Sequence, residues 1–362
     1  MGEANLSEAD LVLSGPRGRR FCWQLACAVR NQALQDRLWL AFHACPDPAD
    51  DAAVERLADL LRQVDPGEIG ELTEPALLEC LADAVAFASY WQEPSEEDRL
   101  LADPRVVEAL LPVAEAALTS PAAHWWRDPV DLTDQGYVQW LDQARTEPPR
   151  LTGAAQAVRA WRDDTLAREE SARSWPPDPT ANISASWWST PSLHGLVETS
   201  RPRPGLGAVR LLLTEDDCGW QQARVWPLAP RPDVQVYEIT GPDAWAALVE
   251  RYPLRVTRSR RYDWWRATGR AGEWFIPDYN AVAADYDAVH LTMLGYLTTA
   301  GKTVQVTDGA TLLAGWHPDT TVWLHDVLAS SGEPLDWHRS QDAPDGNTAD
   351  ATTGWRPSPT GC

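Results

Sequence analysis

Lysine is almost absent from this chain: Lys302 stands alone among 31 basic residues, the rest being arginine. Together with abundant Ala, Pro, Asp and Gly, that skew is what a GC-rich coding sequence produces, so an arginine here is not by itself a sign of bidentate recognition. No apolar run approaches the length needed to cross a bilayer, which excludes a membrane-spanning helix. The opening MGEANLSEADLVLSG lacks the basic start and long apolar stretch of a signal peptide. It also lacks Ser or Thr at the sixth position, so the N-myristoylation pattern is not met. The six cysteines (22, 27, 45, 80, 218 and 362) form no CxxC pair, and irregular thiols in a chain this long read as reduced, pointing to the cytoplasm. The seven histidines never fall at HxH, HxxxH or HExxH spacing, EF-hand spacing is missing, and no metal site is expected. GxSxG is missing too.

What is present bounds the answer from the other side. A length of 362 residues with 44% hydrophobic side chains suffices for two or three domains with real cores. Fifty-three acids outweigh the bases to give a net charge of −22, which argues against general nucleic-acid binding. Twenty tryptophans are a large aromatic load, each with one donor to satisfy.

Residues 17–173 read as a helical domain behind an N-terminal extension, 1–16. From 20 to 42, Phe21, Leu25, Ala28, Val29, Leu34, Leu38 and Phe42 recur at helical spacing. Further helices are expected at 50–64, from a Thr73 cap with Pro75 in its first turn, at 104–118 with a kink at Pro112, at 134–145, and at 152–173 from a Thr152 cap. Pro, Ser and Gly enrichment marks 174–205 as a linker. Short β-type runs then follow at 208–214, 222–226, 234–239, 254–257, 288–293, 303–306, 312–316 and 321–324, with helices near 242–250 and 279–284. This pattern predicts an α+β protein: an N-terminal helical bundle, then a mixed or antiparallel α+β domain over 206–328, then a disordered tail over 329–362.

The chemistry concentrates in 251–292. Its first twenty residues hold seven arginines against one carboxylate, interleaved with Tyr262, Trp264 and Trp265. On a strand over 258–267, Arg258, Arg260, Tyr262, Trp264 and Arg266 share a face, offering cationic forks beside flat rings for a phosphate or carboxylate ligand. The bland alternative is a solvated strand whose arginines pair with surplus acids. His290, beside Thr292 and after Asp285 and Asp287, is the best-placed histidine for general-base work, against the commoner role of bonding a backbone carbonyl. Gly205-Leu206-Gly207 follows a proline instead of a strand and reads as a turn, and Glu215-Asp216-Asp217 reads as a solvated hairpin tip.

The segments VYEITGPDAWAALVERYPLRVTRSRRYDWW, IPDYNAVAADYDAVHLTMLGYL and LLAGWHPDTTVWL, with SGPRGRRFCWQLA near the start, resemble a family of uncharacterised actinobacterial proteins that brings no activity with it. DYDAVHL, a variable loop and a closing strand are also similar to the late part of ADP-ribosyltransferase-like domains. That likeness implies an early Arg or His (Arg210 or His194), an aromatic platform (Tyr262 or Trp264) and a catalytic glutamate. The strand over 311–316 carries no glutamate, so Glu238 stands in for it. Three functions are thus expected in order: binding of an anionic small molecule or acidic protein segment at the Arg/aromatic face; an NAD- or nucleotide-dependent transferase, with NAD as cofactor under that reading alone and Glu238 and His290 catalytic; and an assembly protein docking through its helical half.

Overall fold

The structure is a computed structural model that describes residues 6–44, 50–141, 147–191, 195–215, 219–340 and 354–358. Its N-terminal part is helical: α1 (Glu8–Ser14), α2 (Pro16–Cys27), α3 (Gln32–His43), α4 (Asp51–Leu61), α5 (Pro66–Gly70), α6 (Glu74–Ala86), α7 (Glu96–Leu101) and α8 (Pro104–Thr119). All but α2, which opens on Pro16, start at a side-chain cap. Ser7, Asn31, Asp50, Asp65, Thr73, Ser95 and Asp103 all accept from a backbone N–H of the first turn. Leu25, Leu57, Leu78, Leu81 and Leu110 fill the interior, and α8 packs against α1, α2, α4 and α5. α8 continues through Pro112, which sits on its exposed side, where the carbonyl freed one turn earlier can meet water. The single helix expected over 20–42 is two, because Ala28 ends α2 and Asn31 caps a new start.

The rest of the chain builds one mixed sheet and three two-stranded sheets. In order come β1 (Gln135–Trp140), α9 (Ala154–Ser171), β2 (Val197–Ser200), β3 (Pro202–Arg203), β4 (Gly207–Ala208), β5 (Gln222–Pro230), β6 (Val236–Ile239), α10 (Pro242–Arg251), β7 (Pro253–Arg255), α11 (Thr257–Thr268), β8 (Phe275–Pro277), α12 (Tyr279–Val282), β9 (Ala288–Leu291) and α13 (Met293–Thr299). Then follow β10 (Thr303–Val306), β11 (Gly309–Leu312), β12 (Thr320–Trp323), β13 (Leu328–Ser330), β14 (Leu335–Arg339) and β15 (Trp355–Pro357). The nine-stranded sheet runs β15-β14-β5-β1-β2-β12-β9-β6, with β13 also on β5; the β6–β9 pair is parallel and the others antiparallel. The protein is α+β with an N-terminal helical region, as its sequence predicts.

Four expectations give way to tertiary structure. Of the helix expected at 134–145, residues 135–140 form β1 and 142–145 lie outside the described ones; Gly136 of β1 lets β4 approach so closely that a Cβ there would lie 2.8 Å from that of Ala208. α9 starts at Gly153 instead of Thr152, its first N–H groups donating to the Asp326 carboxylate from a distant loop. Residues 174–205, expected as a linker, supply β2 in the middle of the sheet and bury Ser186, Trp187, Ser189 and Thr190. Of the tail expected over 329–362, β14 and β15 pair on the sheet edge and bury Trp337 and Trp355; residues 341–353 and 359–362 lie outside the described ones. One apolar core runs from Ala9 and Leu25 through Trp126 and Trp161 to Val322, joining the helices to the sheet.

Candidate functional site

The arginine-rich stretch 258–266 is helix α11, not a strand. Its start carries no local cap, which hid it from the sequence: Val256 is the N-cap, and Glu169 of α9 supplies the carboxylate that accepts from Arg258 N–H at 3.2 Å and Ser259 N–H at 2.7 Å. Gly269, at φ 68°, ends the helix in the left-handed region. The side chains then turn inward. Arg260, 4% exposed, donates Nε and Nη2 to the Trp188 carbonyl and Nη1 to Ser259 Oγ. Tyr262 donates its hydroxyl to the Pro176 carbonyl and Trp264 its indole N–H to Trp187. Arg266 donates to the carbonyls of Trp91 and Ile183 and pairs with Asp263, whose carboxylate also accepts from Ala185 N–H. Arg258 is half-buried. The described contacts of Arg260, Tyr262, Trp264 and Arg266 thus tie α11 to the irregular segment 176–188.

A second constellation forms where the sheet brings distant strands together. The register of β6 against β9 sets Glu238 opposite His290, and β12 sets Thr321 opposite both His290 and Thr199. Paired residues point to one side of a sheet, so Glu238, His290, Thr321 and Thr199 form a row across four strands. His290, 1% exposed, lies between two carboxylates: Nδ1 is 2.5 Å from Glu238 Oε2, and Nε2 is 3.3 Å from Asp319 Oδ1. Burial opposes its protonation, but the hydrogen bonds to Asp319 and Glu238 and their charges outweigh that and lift its pKa to about 9. As imidazolium it donates to both carboxylates.

Each neighbour is held in turn. Glu238 Oε1 accepts from Val130 N–H at 3.0 Å. Asp319 adopts φ 52°, the one positive φ at a non-glycine among the described residues, and accepts Arg201 Nε at 2.7 Å and Arg201 N–H at 3.1 Å. Arg201 donates onward to the carbonyls of Asp128 and Pro129 and lies over the Trp125 ring. Farther along the row, Trp323 donates its indole N–H to Thr199 Oγ1, which donates to Gln135 Oε1 at 2.5 Å. Thr321 Oγ1, between Thr199 and His290, is buried with no hydrogen-bond partner. Residues 128–132 lie along this row, anchored through Val130, the Arg201 contacts and an Asp131 carbonyl that accepts from Gln135. The Glu238 side chain, 24% exposed against 1% for His290 and 2% for Asp319, is the member of the His290 triad that meets solvent.

The two residues read from the sequence as catalytic, Glu238 and His290, are therefore in contact. The Arg/aromatic group lies elsewhere, on α11. Arg210, a stand-in for the early arginine, pairs with Glu198 on the opposite side of β2, while His194 lies outside the described residues. Asp319, Arg201 and Thr321 were not legible beforehand, since nothing in His317-Pro318-Asp319 announces a left-handed aspartate. Among the described residues no His/Cys/Asp/Glu group has a metal-binding arrangement, and no single helix is long and apolar enough to cross a membrane. Cys22, Cys27 and Cys80 are free thiols; burial pushes Cys27 and Cys80 up to about 12. No family model, no curated protein and no solved structure matches this chain.

Proposed function

We propose that the protein is a group-transfer enzyme, of the NAD- or nucleotide-dependent kind, acting at the Glu238 carboxylate. The observation that carries this reading is the direct pairing of Glu238 with a buried His290 that Asp319 and Arg201 hold from behind. A solvent-facing carboxylate in a fixed position suits stabilisation of positive charge developing at a glycosidic carbon, or acceptance of a proton from an attacking hydroxyl. His290 is the positioning residue: its Nδ1 holds the Glu238 side chain in place. Perturbed titration, a strained aspartate and an unpartnered hydroxyl in one place are features that concentrate at reacting centres. The alternative of an anionic ligand on the 258–266 face has less support, because Arg260 and Arg266 already serve backbone carbonyls.

The test is a thermal-shift panel of NAD, nucleotides and sugar phosphates, followed by an assay for nicotinamide or leaving-group release from any stabilising ligand. A ligand at 100 times its dissociation constant stabilises by about 2.7 kcal/mol. Glu238→Gln is expected to retain binding and lose turnover by about a hundredfold or more. No stabilisation by any member of the panel, or turnover unchanged in Glu238→Gln, overturns the proposal.

A further inference from the structure

β15, at one end of the nine-stranded sheet, is a short strand reached by a long return. It pairs antiparallel with β14, Arg339 facing Trp355, His338 facing Arg356 and Trp337 facing Pro357. Ser340 N–H donates to the Gly354 carbonyl at 2.5 Å and Ser358 N–H to the Asp336 carbonyl at 2.7 Å, so the ladder is closed at both ends. Yet thirteen residues, 341–353, lie between these strands in the sequence, where about two to five join a typical β-hairpin. No tight turn sets this pairing; the ladder and its side chains do. One side chain is the anchor: Trp355 is 3% exposed, while Arg356 and Pro357 are exposed. Its ring centre lies 5.7 Å from that of Trp140, and the Arg339 guanidinium stands over it at 5.2 Å. With Val138, Ala208, Ala223 and Trp337 it belongs to a small apolar cluster of its own, apart from the core that joins the helices to the sheet. The Trp355 indole N–H is buried there with no hydrogen-bond partner. Segment 354–358 thus meets β14 as an extended peptide meets a sheet edge, with backbone bonds along the strand and one large side chain in an apolar socket.

We propose that this edge is an interface between two copies of the chain: segment 354–358 of one copy docks on β14 of a second, with Trp355 in the second copy's socket, and the exchange is reciprocal. Every copy carries both the segment and the socket, so the contact closes on itself in a two-fold pair. The bonds made between copies are the bonds made within one, and exchange therefore costs little beyond association itself. Two features let the segment leave its own socket. Its anchor sits in the satellite cluster, so detachment leaves the main core closed, and the buried indole N–H regains a partner in water. The detached strand also leaves β14 with unpaired backbone groups, which a second copy's segment satisfies in the same register. A segment tied to its socket competes at an effective concentration on the order of millimolar, so the unexchanged form dominates in dilute solution and exchange grows with protein concentration. The proposal is independent of the reading at Glu238.

Cross-linking of full-length chains reads the exchange directly. His338 and Arg356 face each other in a hydrogen-bonded pair, as the bonds two residues to either side require, and such pairs stand about 5.5 Å apart at Cα, within disulfide reach. Alternation puts both side chains on the face away from Trp355. A chain carrying His338→Cys and Arg356→Cys together is expected to close that disulfide within one molecule; failure to close contradicts the pairing on which the proposal stands. Chains carrying His338→Cys alone are then mixed with chains carrying Arg356→Cys alone, oxidised gently and mapped by mass spectrometry, at concentrations from about a hundredth to about a third of millimolar. A covalent dimer linked at 338–356 is expected, its yield rising severalfold over that range. An excess of a synthetic peptide spanning residues 352–360 is expected to suppress it, and the same peptide with Trp355→Ala to leave it unchanged. No 338–356 dimer at the highest concentration, a yield independent of concentration, or a dimer that the two peptides affect equally would overturn the assignment.

Discussion

The Glu169 carboxylate on α9 is the N-terminal cap of α11, taking the N–H groups of Arg258 and Ser259 from 89 and 90 residues away. A cap delivered across the fold does the same work as a local Ser or Asp, but it also locks two helices in register. Glu169→Ala is expected to destabilise the protein by about 1–2 kcal/mol, and Glu169→Gln by less, since the amide oxygen still accepts. Chemical denaturation checks this; a loss below about 0.3 kcal/mol in Glu169→Ala would show that α11 does not need its cap.

The buried guanidinium of Arg260 predicts an effect unlike that of a surface arginine. Arg260→Ala strips the Trp188 carbonyl of two donors inside the core, at an expected cost of about 2–4 kcal/mol. Arg173→Ala, on an exposed side chain paired with exposed Glu170, is expected to change stability by less than about 0.5 kcal/mol. Equal effects in the two variants would mean that the Arg260 contact adds nothing.

His290 makes stability depend on pH with a definite sign. Its folded pKa of about 9 lies above the ordinary histidine value near 6.5, so the folded state holds the proton more tightly. The stabilisation is fully present below about pH 6.5 and is lost as pH rises through about 9. Melting temperature measured from pH 6 to 9.5 is expected to fall over that window, and in His290→Gln that part of the fall should vanish. The same variant leaves Asp319 and Glu238 without their shared donor and is expected to cost about 3–5 kcal/mol near pH 6. A flat profile in the parent protein would place a neutral imidazole between the two carboxylates.

The segment from 176 to 191, despite its proline and serine content, is expected to resist proteolysis in the native state. Asp263, Arg260, Tyr262 and Trp264 all bond to its backbone, and Trp187 stacks on Trp188 with 4.4 Å between ring centroids. A broad-specificity protease should cut this segment only as the whole protein unfolds. A first native-state cut within it would contradict the packing described here.

The boundary between sequence and structure falls at identifiable residues. Helix starts at Asp50, Thr73 and Asp103, the strands over 303–306 and 321–323, and the α+β class itself follow from local signals: a side-chain acceptor ahead of an apolar period, or alternation bounded by turns. His290 was recognisable as candidate chemistry because few residue types move protons near neutrality, and Glu238 entered only as a stand-in for the glutamate that the resemblance implies. Their meeting was not, since it depends on a parallel register between strands 52 residues apart. Tertiary structure alone decided that 258–266 is a helix, because its cap sits on α9, and that its arginines face inward, because segment 176–188 offers carbonyls there. It alone decided that 135–140 is a strand, because the open edges of β2 and β5 outbid a weak local preference. Asp319 belongs to the same class: its left-handed backbone is held by Arg201, just past β2, and by His290 of β9, and no pattern along the chain encodes a conformation that only its neighbours stabilise.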